Sequence, residues 1–227
     1  NSGGLAGTTP EVLMARVAAD TRRIRVGSGG VMLSHYSALK VAENFRMLET
    51  LYPGRIDLGI GRAPGSDQHT ARALQHGPSA LGIEEFPNQI ADVAGYLRGG
   101  LPHEHPFAGI TAMPSGPSVP ELWLLGSSDQ SAAYAAHFGL AFSFAHFITG
   151  QSGGAIVEAY RRYFQASEWA AAPRANVGIS VVAADTEAEA RRLASSRELW
   201  LLRLATGHLG PFPTPEQAAA HPYTERE

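Results

Sequence analysis

The chain has 227 residues, 44% of them hydrophobic and 17% charged, which is enough apolar material for one large domain or two small ones with a packed core. Eighteen Lys and Arg against 21 Asp and Glu give a formal net charge of -3, and the basic residues are scattered; this argues against a nucleic-acid partner and leaves a small anion as a ligand that one or two arginines can hold. The complete lack of cysteine excludes disulfides, Cys-based zinc sites, iron–sulfur clusters and thiol nucleophiles and fits a reducing cytoplasm, while no apolar run reaches the roughly 18 residues of a membrane span and no targeting segment is legible.

In chain order, Thr9-Pro10 reads as a helix start, and Val12, Leu13, Val17 and Ala18 give a helical period that predicts a helix from Pro10 to Thr21. "IRVGSGGVML" reads as one nearly continuous apolar strand. "ALKVAENFRMLETLY" spaces Leu39, Ala42, Phe45, Leu48 and Leu51 as a helix, which Pro53-Gly54 ends. "RIDLGIG" is the next strand, and "IEEFPNQIADVAGYLRG" contains the next long helix. "ELWLLGS", "LAFSFAHF" and "NVGISVVAA" are three further strands; they feed the helices "SDQSAAYAAHFG", "GGAIVEAYRRYFQA" and "TEAEARRLASSRELWLLRL". Residues 99–120 are too rich in Pro and Gly, and too long, for an ordinary connection and predict an inserted β excursion beside a ligand site. Residues 205–227 lose all periodicity and read as a mobile tail. Alternating strands and helices mean an α/β fold with a parallel sheet. Five strand–helix units after a lone first helix resemble the middle of a (β/α)8 barrel, which needs eight units and about 250 residues.

The stretch "RIDLGIGRAPGSD" at 55–67 invites a dinucleotide-binding reading, but its context fails. Pro64 restricts Ala63 to extended backbone, and no acidic residue closes a second strand about 20 residues on, as that fingerprint requires. Arg62 carries more meaning. It stands just past the C-terminal end of a buried strand, where parallel sheets place ligands, and a guanidinium there can hold a phosphate with two parallel hydrogen bonds. The plainer alternative is a surface arginine paired with Asp67 or another carboxylate. One unit later, Gly126-Ser127-Ser128 joins a strand to a helix start, so backbone N–H groups, hydroxyls and the positive helix end converge there. Here too a plainer reading stands: Ser128 or Asp129 simply caps the helix.

His103-Glu104-His105 has metal-capable side chains but no obvious third ligand, and no metal site is expected. His146 ends the strand "LAFSFAHF"; a place near a ligand and a buried histidine bonded to backbone are equally open. Asp185-Thr186-Glu187-Ala188-Glu189 fits a capping box with Thr186 as N-cap.

The strings "RIRVGSGGVML", "LKVAENFRMLETLYPGRIDLGIGRAPGSD", "ELWLLGSS" with "SAAYAAHFGLAFSFAHF", and "VVAADTEAEARRL" together resemble the bacterial luciferase-like monooxygenase superfamily, in its single-component alkanal-monooxygenase-like branch. The resemblance covers nearly the whole chain. It implies a (β/α)8 TIM barrel with an insertion as a single domain, and a flavoprotein using reduced FMN, supplied by a reductase, or in a sister branch the deazaflavin F420. It further implies that Arg62 with Gly126, Ser127, Ser128 and Ser131 holds the cofactor phosphate, and it aligns Gly29-Gly30 with a strand-end dipeptide that in this superfamily often carries a cis peptide under the flavin ring.

Two departures accompany it. Relatives read Pro-Asn-His-Ala-Pro where this chain reads Ser34-His35-Tyr36-Ser37-Ala38, so Tyr36 stands at the family histidine and cannot titrate near neutrality. The chain also reads as lacking the first two strand–helix units and the last one. The implied activity is transfer of one atom of O2 to a small organic, aldehyde-like substrate, with Tyr36 and His146 as candidate catalytic residues and a homodimer as the expected assembly. An F420-dependent dehydrogenase or reductase on the same fold, and a non-catalytic flavin-binding protein or truncated remnant, are the alternatives.

Overall fold

A computed structural model gives the structure of residues 7–62, 68–74, 82–208 and 210–224. These residues fall into two compact units: one spans residues 9–179, and the other is built mainly from residue 180 onward.

In the first unit, the described residues form one parallel sheet of β1 (Val26–Gly27), β2 (Val31–Met32), β3 (Ile56–Gly61), β4 (Glu121–Gly126), β5 (Ala141–Ala145) and β6 (Ala175–Gly178). The order is β1-β3-β4-β5-β6, with β2 also pairing β3. Helices α1 (Pro10–Asp20), α2 (Ala38–Leu51), α3 (Gln68–Leu74), α4 (Phe86–Leu97), α5 (Asp129–His137), α6 (His146–Thr149) and α7 (Gly153–Tyr163) connect or flank the strands. Parallel strands that each feed a helix are the repeating unit of a (β/α)8 barrel.

Alternation along the strands sorts the two faces of the sheet. Ile56, Leu58 and Ile60 of β3, Leu122 and Leu124 of β4, and Phe142 and Phe144 of β5 are at most 2% exposed and join the core with Val41, Phe45, Ile90, Val93 and Tyr160 of the helices. Each fully buried Leu, Ile or Phe side chain contributes about 1.5–3 kcal/mol by leaving water, so this layer dominates the stability of the unit. Asp57, Gly59, Gly61, Trp123 and Leu125 take the opposite face.

Three strand expectations are corrected. "IRVGSGGVML" is not continuous: pairing to β3 stops between Gly27 and Val31, where the Ser28 hydroxyl donates to Gly59 O (2.9 Å) and accepts from Gly59 N (3.0 Å) in place of ladder bonds. Of "NVGISVVAA" only the first three residues, 176–178, are in a strand, because the partner β5 ends at Ala145, opposite Gly178, and α6 begins at His146. Residues 99–120 contain turns and bends and no strand, and the Met113–Pro114 peptide is cis. Five prolines in that stretch lack the N–H a ladder needs. The stretch is held from α2 instead: Arg46, 5% exposed, donates to Pro114 O (2.6 Å), Gly116 O (3.1 Å) and Leu97 O, and buried Glu49 accepts from Gly54 N and the Ser118 hydroxyl.

The N-terminal ends of the strands carry a charged rim. Arg25 binds Asp57 through two hydrogen bonds of 2.7 and 3.0 Å, and Arg174 binds Glu121 at 2.9 Å while lying over the Trp123 ring. Residues on that face of a barrel serve stability.

The second unit holds α8 (Glu187–Ala205) and α9 (Pro215–Ala219). Thr186 caps α8 by accepting from Glu189 N (3.2 Å), but the Glu189 carboxylate turns to Arg192, so the expected box is only half formed. The reciprocal box occurs instead at Thr214 and Gln217, inside the stretch that reads as a tail. Arg192 also reaches Glu216 of α9 (2.9 Å), and Trp200 stacks near Phe212. Capping and side-chain pairing therefore give residues 214–219 a helical turn that their weak apolar period does not announce.

Candidate functional site

Parallel pairing brings the C-terminal strand ends to one edge. Met32 lies beside Gly61, Gly61 beside Leu125, Gly126 beside Phe144, and Ala145 beside Gly178. Arg62 therefore emerges level with Gly126, and the two stretches singled out in the sequence meet: Arg62 donates a hydrogen bond to the side-chain oxygen of Gln130, in the first turn of α5. Asp67, the alternative partner of Arg62, lies outside the described residues.

The approach of α5 to β4 depends on Gly126. A Cβ there would collide with the Ser131 side chain, which is only 7% exposed. Ser128 is the N-cap; its hydroxyl accepts from Ser131 N (3.3 Å) and lies 3.2 Å from the Ser131 hydroxyl. The capping reading of Ser128 is thus met, and it leaves the hydroxyl pair and the positive end of α5 facing the strand-end edge, where an anion is favoured. Ser127 joins β4 to this cap.

Gly29 and Gly30 lie at the break between β1 and β2, and the peptide between them is cis. A Cβ on Gly30 would come within 2.8 Å of Gly59 O, whereas one on Gly29 would meet nothing within 4 Å and one on Gly61 would meet only Leu125 O, at 3.8 Å. Gly29 and Gly61 thus leave side-chain-free space, the one at the break between β1 and β2 and the other at the end of β3 next to Arg62. A flat ring with a phosphate tail needs such space next to convergent donors, and these residues fit that demand.

Tyr36 and His146 are not brought together: one follows β2 and the other follows β5, with β3 and β4 between. Tyr36 packs against the core, and burial, reinforced by the charge of Glu11, pushes its phenol above the ordinary value, so it remains a proton donor at neutral pH. His146 opens α6 rather than ending the strand, and its ring meets Phe144 edge-on with 6.2 Å between centroids. His105 is tied to Asp92 (3.2 Å) and to the N–H of Phe107, and among the described residues no group of three His, Asp or Glu can hold a metal ion.

Sequence reasoning missed Ser28, Gln89 and Gln130. Gln89 donates to Leu33 O (3.3 Å) and supports the turn after β2 from α4. Its signal was present, since it sits on the apolar stripe with Phe86, Ile90 and Val93, where a buried polar residue needs a reason. Gln130 gave no such signal. Two grooves run along the helices: one of about 470 Å³ lies between α5 and α7 and takes in Asp129 and Gln130, and one of about 930 Å³ lies between α4 and residues 100–107.

A profile of the luciferase-like monooxygenase family matches residues 2–226. The chain is 48% identical over 221 residues to protein YceB of Bacillus subtilis, covering 97% of this chain and 66% of that protein. It is 41% identical over 219 residues to a luciferase-like monooxygenase of Escherichia coli K12, covering 96% of this chain and 63% of that one. Among solved structures, apo-MsnO8 superposes with a TM-score of 0.81 at 41% identity, over 93% of this chain and 61% of that chain. The oxygenating constituent of 3,6-diketocamphane monooxygenase from Pseudomonas putida, solved with FMN, shares the fold with a TM-score of 0.58 at 21% identity, over 88% and 62% of the two chains. The chain therefore spans somewhat under two-thirds of the length of these proteins, and its sheet and helices are those of the luciferase-like (β/α)8 type.

Proposed function

The chain belongs to the luciferase-like monooxygenase family, and on that premise we propose that it serves as a flavin-dependent monooxygenase that uses reduced FMN and O2 to oxygenate a small organic, aldehyde-like substrate. The observation that carries the cofactor reading is the meeting of Arg62 with the first turn of α5 at the strand-end edge. When bound, reduced flavin supplies the activation of O2 and the transfer of one oxygen atom.

The residues of this chain bind and orient. Arg62 grips the phosphate with its planar fork, while the Ser127–Ser128 turn and the α5 N-terminus add hydroxyl and backbone donors. Ser131 fixes the cap from beneath, and Gly126 lets α5 come close enough. Gly29 and Gly30, which carry no side chains of their own, would lie beneath the ring, with the Leu125 side chain beside Gly30. Tyr36, protonated at neutral pH, and His146 follow β2 and β5 at the strand-end edge and are the candidate catalytic residues. The apolar core behind β3 to β5 keeps water from the covered face. A separate reductase supplies reduced flavin, and the protein pairs as a homodimer.

Absorbance and mass spectra of the cofactor that co-purifies separate FMN from F420. Oxygen uptake with reduced FMN and a medium-chain aldehyde then tests the oxygenase assignment: uptake coupled to formation of the acid is expected, and hydride transfer without oxygen uptake would overturn it.

A further inference from the structure

The donors assigned to the phosphate already have partners inside the protein. The Gln130 side-chain oxygen occupies Arg62, and its amide nitrogen donates to the Tyr134 hydroxyl (3.0 Å), which fixes the orientation of the carboxamide. The backbone N–H of Gln130 donates to the carboxylate of Asp129 (2.8 Å), and that of Ser131 donates to Ser128. Asp129 and Gln130 are both exposed, so a ligand can reach them. Asp129 stands out because it is a negative charge in the first turn of α5, at the end that would receive a doubly charged phosphate. It satisfies the helix end in the ligand-free state and opposes the same anion that Arg62 attracts.

We propose that Asp129 and Gln130 are built-in stand-ins for the cofactor phosphate, with Asp129 as the residue that holds down affinity for a phosphomonoester, so that the flavin enters by exchange and leaves readily. The inference rests on the flavin-phosphate reading of this edge. Gln130 gives up Arg62 without a charge penalty and keeps its bond to Tyr134, whereas Asp129 cannot leave the first turn and repels the phosphate throughout. A residue that lowers affinity suits a protein whose cofactor must pass between two proteins in each cycle.

The test is titration of FMN, and of riboflavin, which lacks the phosphate, into the protein and its Asp129→Asn and Arg62→Ala variants. Asparagine keeps the side-chain oxygen that accepts from Gln130 N and removes only the charge; Asp129→Ala is a second variant should the first fold poorly. Asp129→Asn is expected to tighten FMN about three- to tenfold at low salt, less as salt rises, with riboflavin unchanged. Unchanged or weaker FMN binding, or equal tightening of riboflavin, overturns the inference while the phosphate reading stands, provided the unaltered protein prefers FMN and Arg62→Ala erases that preference. Equal binding of FMN and riboflavin by the unaltered protein overturns the phosphate reading itself.

Discussion

Arg62 and Gln130 are 68 positions apart in the chain, yet the guanidinium of one is hydrogen-bonded to the carboxamide of the other, across the ends of β3 and β4. A parallel sheet makes this possible: the pairing of Gly61 with Leu125 sets the two strand ends level, and the cap at Ser128 then aims α5 at Arg62.

Arg62→Ala should weaken FMN binding roughly ten- to hundredfold, the scale of a charge-assisted hydrogen bond. Arg62→Lys should recover part of it, because a point charge replaces a fork. Flavin fluorescence titration reads both, and unchanged affinity in the alanine variant would remove Arg62 from the site.

Ser28→Ala should cost about 1–3 kcal/mol, since it leaves Gly59 N–H and C=O buried without the hydroxyl that pairs both. Gly59→Ala should cost more, because its Cβ would collide with the Ser28 carbonyl. Urea unfolding midpoints check the order; if Gly59→Ala proves the milder change, the close approach of the two strands is not as described.

Arg46→Ala should cost about 3 kcal/mol or more, because three carbonyls on Leu97, Pro114 and Gly116 lose one buried donor group. Limited proteolysis should then cut first within residues 99–120, which Arg46 fastens to α2. Protection equal to that of the unaltered protein would mean that the loop holds itself.

The buried phenol of Tyr160 gives an alkaline signature. Burial pushes its pKa above the ordinary 10.0, outweighing the lowering by its backbone bond at Arg174. Between the ordinary and raised values the folded state keeps a proton that the unfolded chain has released, so this contribution to stability is whole below pH 10.0 and falls as pH rises beyond it. Tyr160→Phe should lose about 1–2 kcal/mol at neutral pH, through its bond to Leu140 O. It should also flatten the decline above pH 10.0, as thermal melts across pH would record.

The helices were legible where apolar spacing decided them. The helix expected over Pro10 to Thr21 ends one residue earlier, α2, α4, α5 and α7 lie within the stretches that predicted them, and α8 runs one residue past its own, to Ala205. The importance of Arg62 and of Gly126 to Ser128 was legible because a parallel sheet places every strand's C-terminal end on one edge, a rule that needs only the order of the elements. The lengths of strands were not legible. Whether Ile179 and Val181 pair depends on where β5 stops, and whether Ser28 continues a ladder depends on Gly59.

The sequence by itself determined the α/β alternation, the family resemblance, the place of Arg62 just past a strand end and the strand-to-helix turn at Gly126 to Ser128, because these follow from local period and chain order. Tertiary structure alone decided that Gln130 meets Arg62, that Ser28 completes Gly59, and that Arg46 holds a loop 68 to 70 residues away. Each of these pairs residues far apart in the chain through one side-chain bond, and a single bond leaves no periodic trace from which either partner could be read.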